Sequence, residues 1–177
     1  AQIDWQRNGY NLFDISCLSG ANPNGVFHPF MECNCLFASA QVFQEIGHAD
    51  ERFDLPGGGA INLYLYRKVA MHPRTRAFML AGEGSFHQLH GGVTTSEVAE
   101  RELVLGRQSA QLTELLGQPF RSPTVEPILL GKVPPQAFRY LGHSVQRGIH
   151  RSQKCAARNE DMYADQRLKE ESGKGGE

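Results

Sequence analysis

The residues best equipped for chemistry lie in one loop, Gly84-Ser85-Phe86-His87-Gln88-Leu89-His90-Gly91-Gly92, with Glu83 just before it. Two histidines three positions apart stand between glycines. In extended chain Gln88 and His90 share one side, and His87 and Leu89 the other; in a turn both imidazoles converge. Flanking glycines let the backbone approach a ligand closely and adopt positive φ. Neutral imidazole is a common metal ligand and also serves in proton transfer. His87 and His90 are therefore candidate metal ligands, and Glu83 and Gln88 candidate ligand-binding residues. The structural alternative is that His87 caps nearby backbone while His90 faces solvent.

Two further groups qualify. Pro56-Gly57-Gly58-Gly59 precedes a helical pattern, and free N–H groups at a helix start can cradle an anion. The run lacks the Lys-Ser/Thr of a P-loop and the spacing of a dinucleotide fingerprint, so a tight turn is the competing reading of Gly57, Gly58 and Gly59. The other group is Glu32 with Asn34, on one face of the otherwise apolar Phe30–Phe37 (FMECNCLF). A carboxylate and an amide in such a setting are costly unless hydrogen-bonded. They either organise a neighbouring loop or face a ligand.

Hydrophobic periodicity supplies the elements that must position these groups. Tyr10–Leu18 and Phe30–Phe37 read as strands, the second a central one with Met31, Cys33, Cys35 and Phe37 on its core face. Ser19–Pro29 reads as a loop. Ser39 is a candidate N-cap for a short helix with Val42, Phe43 and Ile46 inside and Gly47 as its stop. Asp50–Gly59 is a turn and Gly-rich bend, Ala60–Met71 a helix, Arg76–Ala81 a strand and Gly82–Thr95 a loop. Thr94 and Glu97 form a capping box for a long helix to Leu116, ending at Gly117, with Gly106 as the place for a kink. Pro127–Leu130 is a short extended segment, and Pro134-Pro135 opens a further helix, QAFRYLGH. From Arg151 the chain becomes charge-rich; Asn159–Glu171 is expected as a helix, capped by Asn159, with Met162, Tyr163 and Leu168 available to dock.

The composition excludes several classes. With 177 residues, 40% hydrophobic and 21% charged, the chain is long enough for a sizeable core and is not disordered throughout. Eighteen Lys and Arg against nineteen Asp and Glu give a formal charge of -1, without the basic footprint usual for nucleic acid. No apolar run approaches the roughly 20 residues of a membrane span, and no signal peptide opens the chain. Cys17, Cys33, Cys35 and Cys155 lack metal spacing and read as reduced thiols of a cytoplasmic protein. The expected organisation is one globular domain over 1–150 and a charged C-terminal tail over 151–177.

The run from Gly25 to Val69, GVFHPFMECNCLFASAQVFQEIGHADERFDLPGGGAINLYLYRKV, resembles the second half of family 2 glycosyltransferases of the GT-A fold. There a strand with Glu/Cys-Asn-Phe-type residues leads to a helix and then to a GGFDE-F turn, here Ile46-Gly47-His48-Ala49-Asp50-Glu51-Arg52-Phe53. The continuation LAGEGSFHQLHGGVTT and the PPQAFRYL helix are similar to a subset of bacterial glycosyltransferase-like proteins, and the pattern covers roughly residues 4 to 142. The resemblance implies that His87 or His90 occupies the place of a late metal or diphosphate ligand and that Glu32 is an acceptor-side residue. The carboxylate pair that usually follows the turn is replaced by Gly57-Gly58-Gly59. The nucleotide-binding half with its Asp-x-Asp metal motif would precede Ala1, and Asp161 and Asp165 are too far apart to replace it.

Residues and resemblance together set the expectations. The fold class is α/β, a small mixed β-sheet with packed helices, as in the C-terminal part of a GT-A fold. The function is a sugar- or sugar-phosphate-binding module without complete transferase activity of its own, its site formed by Glu32, Asn34, Gly57, Gly58, Gly59, Glu83, Gln88, His87 and His90. A divalent metal is the candidate cofactor. Partners are a small polar ligand and a second copy of the chain, a homo-oligomer that covers the exposed edge of half a sheet; neither nucleic acid nor membrane is expected. The alternatives are a His-dependent or metal-dependent hydrolase or transferase, and an oligomeric scaffold.

Overall fold

The computed structural model describes residues 24–26, 28–32, 35–81 and 98–164. The protein is mixed α/β, with about half of its described residues helical. They fall into two compact units. The described residues of 1–29, 77–88 and 126–162 form one, and those of 30–76, 89–125 and 163–177 the other.

The unit containing residues 30–76 is built on helices. Helix α1 (Ala40–Glu45) starts where Ser39, in extended conformation, accepts a 3.3 Å hydrogen bond from the Val42 N–H. It ends in a Schellman closure: the Gly47 N–H donates to the Gln44 carbonyl at 3.1 Å and the His48 N–H to that of Phe43 at 2.8 Å, with Gly47 at φ 81°. Both ends follow the sequence expectation. Replacing Ser39 by Ala should lower stability by about 1 kcal/mol, read from a shifted urea midpoint at unchanged slope; an unmoved midpoint would show the cap to be idle.

Helix α2 (Ile61–Ala70) is the keel of this unit, burying Leu63, Tyr64, Tyr66, Val69 and Ala70. Leu63 and Tyr64 join Phe53, Ala60, Leu112 and Phe120 in one apolar cluster. Val69 joins Val42 and Ile46 of the α1 region in a second. Polar side chains tie the ends. Lys68 Nζ donates to the Ile46 carbonyl at 2.6 Å, and Thr75 Oγ1 to that of Val69 at 2.7 Å. Helix α3 (Val98–Leu116) runs through Gly106 as one helix, and Gly117 closes it at φ 68°. The proposed capping box at Thr94 and Glu97 lies outside the described residues.

The segment expected as a central strand, Phe30–Phe37, is not one over its described part. The chain bends at Met31 and Cys35. Alternation alone does not make a strand, no neighbouring strand among the described residues supplies hydrogen bonds to this segment, and the apolar side chains of Met31 and Leu36 turn to helical clusters instead. Met31 packs on the Phe120 cluster and Leu36 on the Val42 cluster, while Cys35 is exposed and Phe37 is 86% exposed. The core face assigned to Cys35 and Phe37 is therefore corrected.

The other unit holds the sheet. Strands β1 (Phe78–Ala81) and β2 (Ile128–Gly131) pair in parallel, Phe78 opposite Ile128 and Ala81 opposite Gly131. The described sheet is thus two-stranded and parallel rather than mixed. Phe78, Leu80, Ile128, Leu129 and Leu130 remain exposed on it. After a 3₁₀ turn at Pro135–Ala137, helix α4 runs from Phe138 to Ala157. It passes through residue 150, where the tail was expected to begin. Asn159, read as an N-cap, sits beyond the helix end at φ 52°, and residues 159–164 are not helical. Strand Tyr10–Leu18 lies outside the described residues.

Candidate functional site

Of the expected site residues, Glu32 and the Gly57–Gly59 bend are described, and both belong to the α2 unit. Asn34, Glu83, His87, Gln88 and His90 lie outside the described residues. The bend consists of three consecutive glycines at positive φ, 76°, 80° and 57°. Side chains rarely adopt such a run, so the three glycines allow the chain to enter α2 directly from a 3₁₀ turn at Pro56–Gly58. The Gly58 N–H is already committed to the Leu55 carbonyl at 2.9 Å.

Asn62 follows as the second residue of α2, and its Nδ2 donates to Glu32 Oε2. Both side chains are half-buried. This bond answers the question that Glu32 posed: the carboxylate in an apolar setting is satisfied by an amide from the first turn of the next helix. Its second oxygen keeps acceptor capacity. A negative group near that turn is favoured by the helix dipole.

On the other side of the bend, α3 contributes Gln111. Its Nε2 donates to the Arg52 carbonyl at 3.0 Å and to Asp54 Oδ1 at 2.8 Å. Its Oε1 is shut off from water without a hydrogen-bond partner. A Cβ on Gly59 would stand 2.9 Å from that oxygen and 3.7 Å from the Phe53 ring. The φ of 57° is what favours glycine at position 59, since the near contact is with the end of a flexible side chain.

The turn leading in is braced by charge. Arg52 grips Asp50 through Nε at 2.9 Å and Nη2 at 2.6 Å, and its own N–H adds a bond of 3.1 Å. The Tyr64 hydroxyl donates to the same carboxylate at 3.4 Å. The Arg52 side-chain hydrogen bonds, first among these causes, hold the Asp50 carboxyl well below the usual carboxylate range. Asp50 is thus an anchored structural anion rather than a proton-transfer group near neutrality.

A second polar cluster escaped the sequence reading. Glu45 at the end of α1 meets His72 Nε2 at 3.0 Å and also the Arg74 guanidinium. His72 Nδ1 accepts from the Arg74 N–H at 3.3 Å, so both ring nitrogens are engaged and the cluster clamps the turn after α2. Neither Asn62 nor Gln111 stood out in the sequence. Asn62 had one legible clue, its place in the first turn after the glycines; Gln111 had none.

Among the described residues no group of three or more His, Cys, Asp or Glu is arranged to hold a metal ion, and no helix is long and apolar enough to cross a membrane. Cys35 and Cys155 form no disulfide. An open groove lined by His143, Gln146, Arg147 and His150 lies wholly on α4 and shares no residue with the expected site. No protein-family model, curated protein or solved structure matches the chain.

Proposed function

We propose that the chain is a glycosyltransferase-related binding module for a hydroxyl-rich sugar, seated at Glu32 and Asn62 beside the Gly57–Gly59 bend. The observation that carries the reading is the Glu32–Asn62 hydrogen bond. A carboxylate and an amide held side by side present acceptors and a donor in fixed positions, which is what sugar hydroxyls require. The kinship with glycosyltransferases rests on the sequence resemblance alone. Glu32 also selects between the ligand classes expected at the outset: a carboxylate beside the first turn of α2 repels a phosphate and accepts hydroxyls. The module therefore holds the sugar portion of its ligand there.

Calorimetric titration with neutral sugars, sugar phosphates and nucleotide sugars tests this. Hydrogen bonds to a charged group are worth about 1.5–3 kcal/mol, so Glu32→Gln, which keeps the shape and can still accept from Asn62, should weaken sugar binding by about 10- to 100-fold. Binding of no ligand in any class, or equal affinity in the variant, overturns the reading.

A further inference from the structure

Strand β2 has an open edge. β1 lies on one side of it, and among the described residues no strand lies on the other. The Ile128 N–H donates to the Ala77 carbonyl at 2.8 Å. Ile128 and Leu130 therefore direct their backbone groups into the sheet, and Leu129 directs its own outward. All four residues of β2 are exposed, with Ile128, Leu129 and Leu130 at 44%, 48% and 45%. Two strands alone make a marginal sheet, and a bare apolar edge is a template for pairing with another chain. The residues around the edge say which chain. The run Glu126-Pro127-Ile128-Leu129-Leu130-Gly131-Lys132 is self-complementary about Leu129. Apolar residues stand one step to either side of it, and opposite charges stand three steps to either side. Glu126 and Lys132 are both exposed, and neither makes an ion pair among the described residues.

We infer that β2 is a dimerisation edge, which pairs antiparallel with β2 of a second copy across a two-fold axis at Leu129. The outward N–H and carbonyl of each Leu129 then bond those of the other. Ile128 comes opposite the partner's Leu130, and Glu126 opposite the partner's Lys132. Both pairs occupy the positions of an antiparallel ladder where side chains approach most closely, and the symmetry forms each of them twice. Pro127 accepts through its carbonyl from the partner's Gly131 and, having no N–H, gives nothing back, so the ladder stops there. Charge complementarity names the partner and its direction. A parallel pairing of copies would set Glu126 against Glu126 and Lys132 against Lys132, whereas the antiparallel one sets each against its opposite. The two-fold contact uses the edge once and closes, so it makes a dimer rather than an open stack. This inference stands apart from the sugar site, whose residues belong to the other unit.

Sedimentation equilibrium of the full chain tests it, under reducing conditions that keep the exposed Cys35 from cross-linking copies. The weight-average mass should rise reversibly with concentration from that of one chain toward that of two, and no further. Glu126→Lys or Lys132→Glu turns both symmetric attractions into repulsions and should weaken dimerisation by about tenfold. The double variant Glu126→Lys/Lys132→Glu restores opposite charges across the axis and should restore the dimer. Leu129→Pro removes the central donor without touching a bond of the β1 ladder, and should leave a monomer. At a concentration where the parent is monomeric, all four variants should melt as it does. A parent that stays monomeric or grows beyond a dimer overturns the inference. So does a dimer that ignores Leu129→Pro or the single reversals, or one that the double reversal fails to recover.

Discussion

Replacing Phe120 by Ala is expected to cost about 3–5 kcal/mol of stability. Its ring is 1% exposed and shares a cluster with Leu112 at 0%, Leu63 at 3% and Ala60 at 2%, so nothing mobile stands ready to fill the space. α3 ends at Gly117, and the chain then returns Phe120 against α2 and the Phe53 turn. Domains of this size are stable by about 5–15 kcal/mol, so the loss is a large share of the total. Urea denaturation followed by far-UV circular dichroism measures it; a loss below about 1 kcal/mol would show that the cluster repacks. Phe120→Leu, which keeps most of the volume, should cost less, under about 1.5 kcal/mol. The same cluster contains Phe53 and Ala60 on either side of the glycine bend. Sugar affinity at Glu32 should therefore weaken in Phe120→Ala under conditions where the variant is still folded.

What could be read from the sequence follows the range of the interaction. The Ser39 cap and the Gly47 stop depend on groups within four residues, and both stand where expected. The bend at Gly57–Gly59 is local too, because positive φ is a property of the residue itself. Phe30–Phe37 fails for the opposite reason. Its alternation is compatible with a strand, but strands exist through partners, and the residues available to Met31 and Leu36 belong to helical clusters. The candidate site divides the same way: Glu32 was legible as a polar group needing a partner, but Asn62 lies 30 residues away and could not be chosen from spacing. Gln111, 57 residues from Asp54, reads as an ordinary surface residue of a long helix. The length of α4 was missed because its last turns carry Arg151 and Lys154, and composition there looks like tail. The helix survives because a narrow strip, centred on Gly148, is enough to hold it.

That strip predicts opposite outcomes for two glycines of one helix. Ala is favoured over Gly in a helix interior by about 1 kcal/mol, so both Gly142→Ala and Gly148→Ala gain the same intrinsic term. At Gly142 an added Cβ meets nothing within 4 Å, and the substitution should stabilise the protein by up to about 1 kcal/mol. At Gly148 the Cβ would press on the Asn24 carbonyl and stand 3.0 Å from both the Asn24 carbonyl carbon and Gly25 Cα. These are backbone atoms, and Asn24, 1% exposed, is held by Arg151 at 2.6 Å. Gly25 is equally constrained, since its own Cβ would lie 3.1 Å from Gly148 Cα. Overpacking costs about 1–3 kcal/mol, which cancels or exceeds the propensity gain for Ala. Gly148→Val adds branched bulk to the same contact and should lose about 3 kcal/mol or more. Thermal melts of the three variants decide the matter. A Gly148→Ala protein as stable as Gly142→Ala would mean that the chain at Asn24 does not cross α4 in backbone contact.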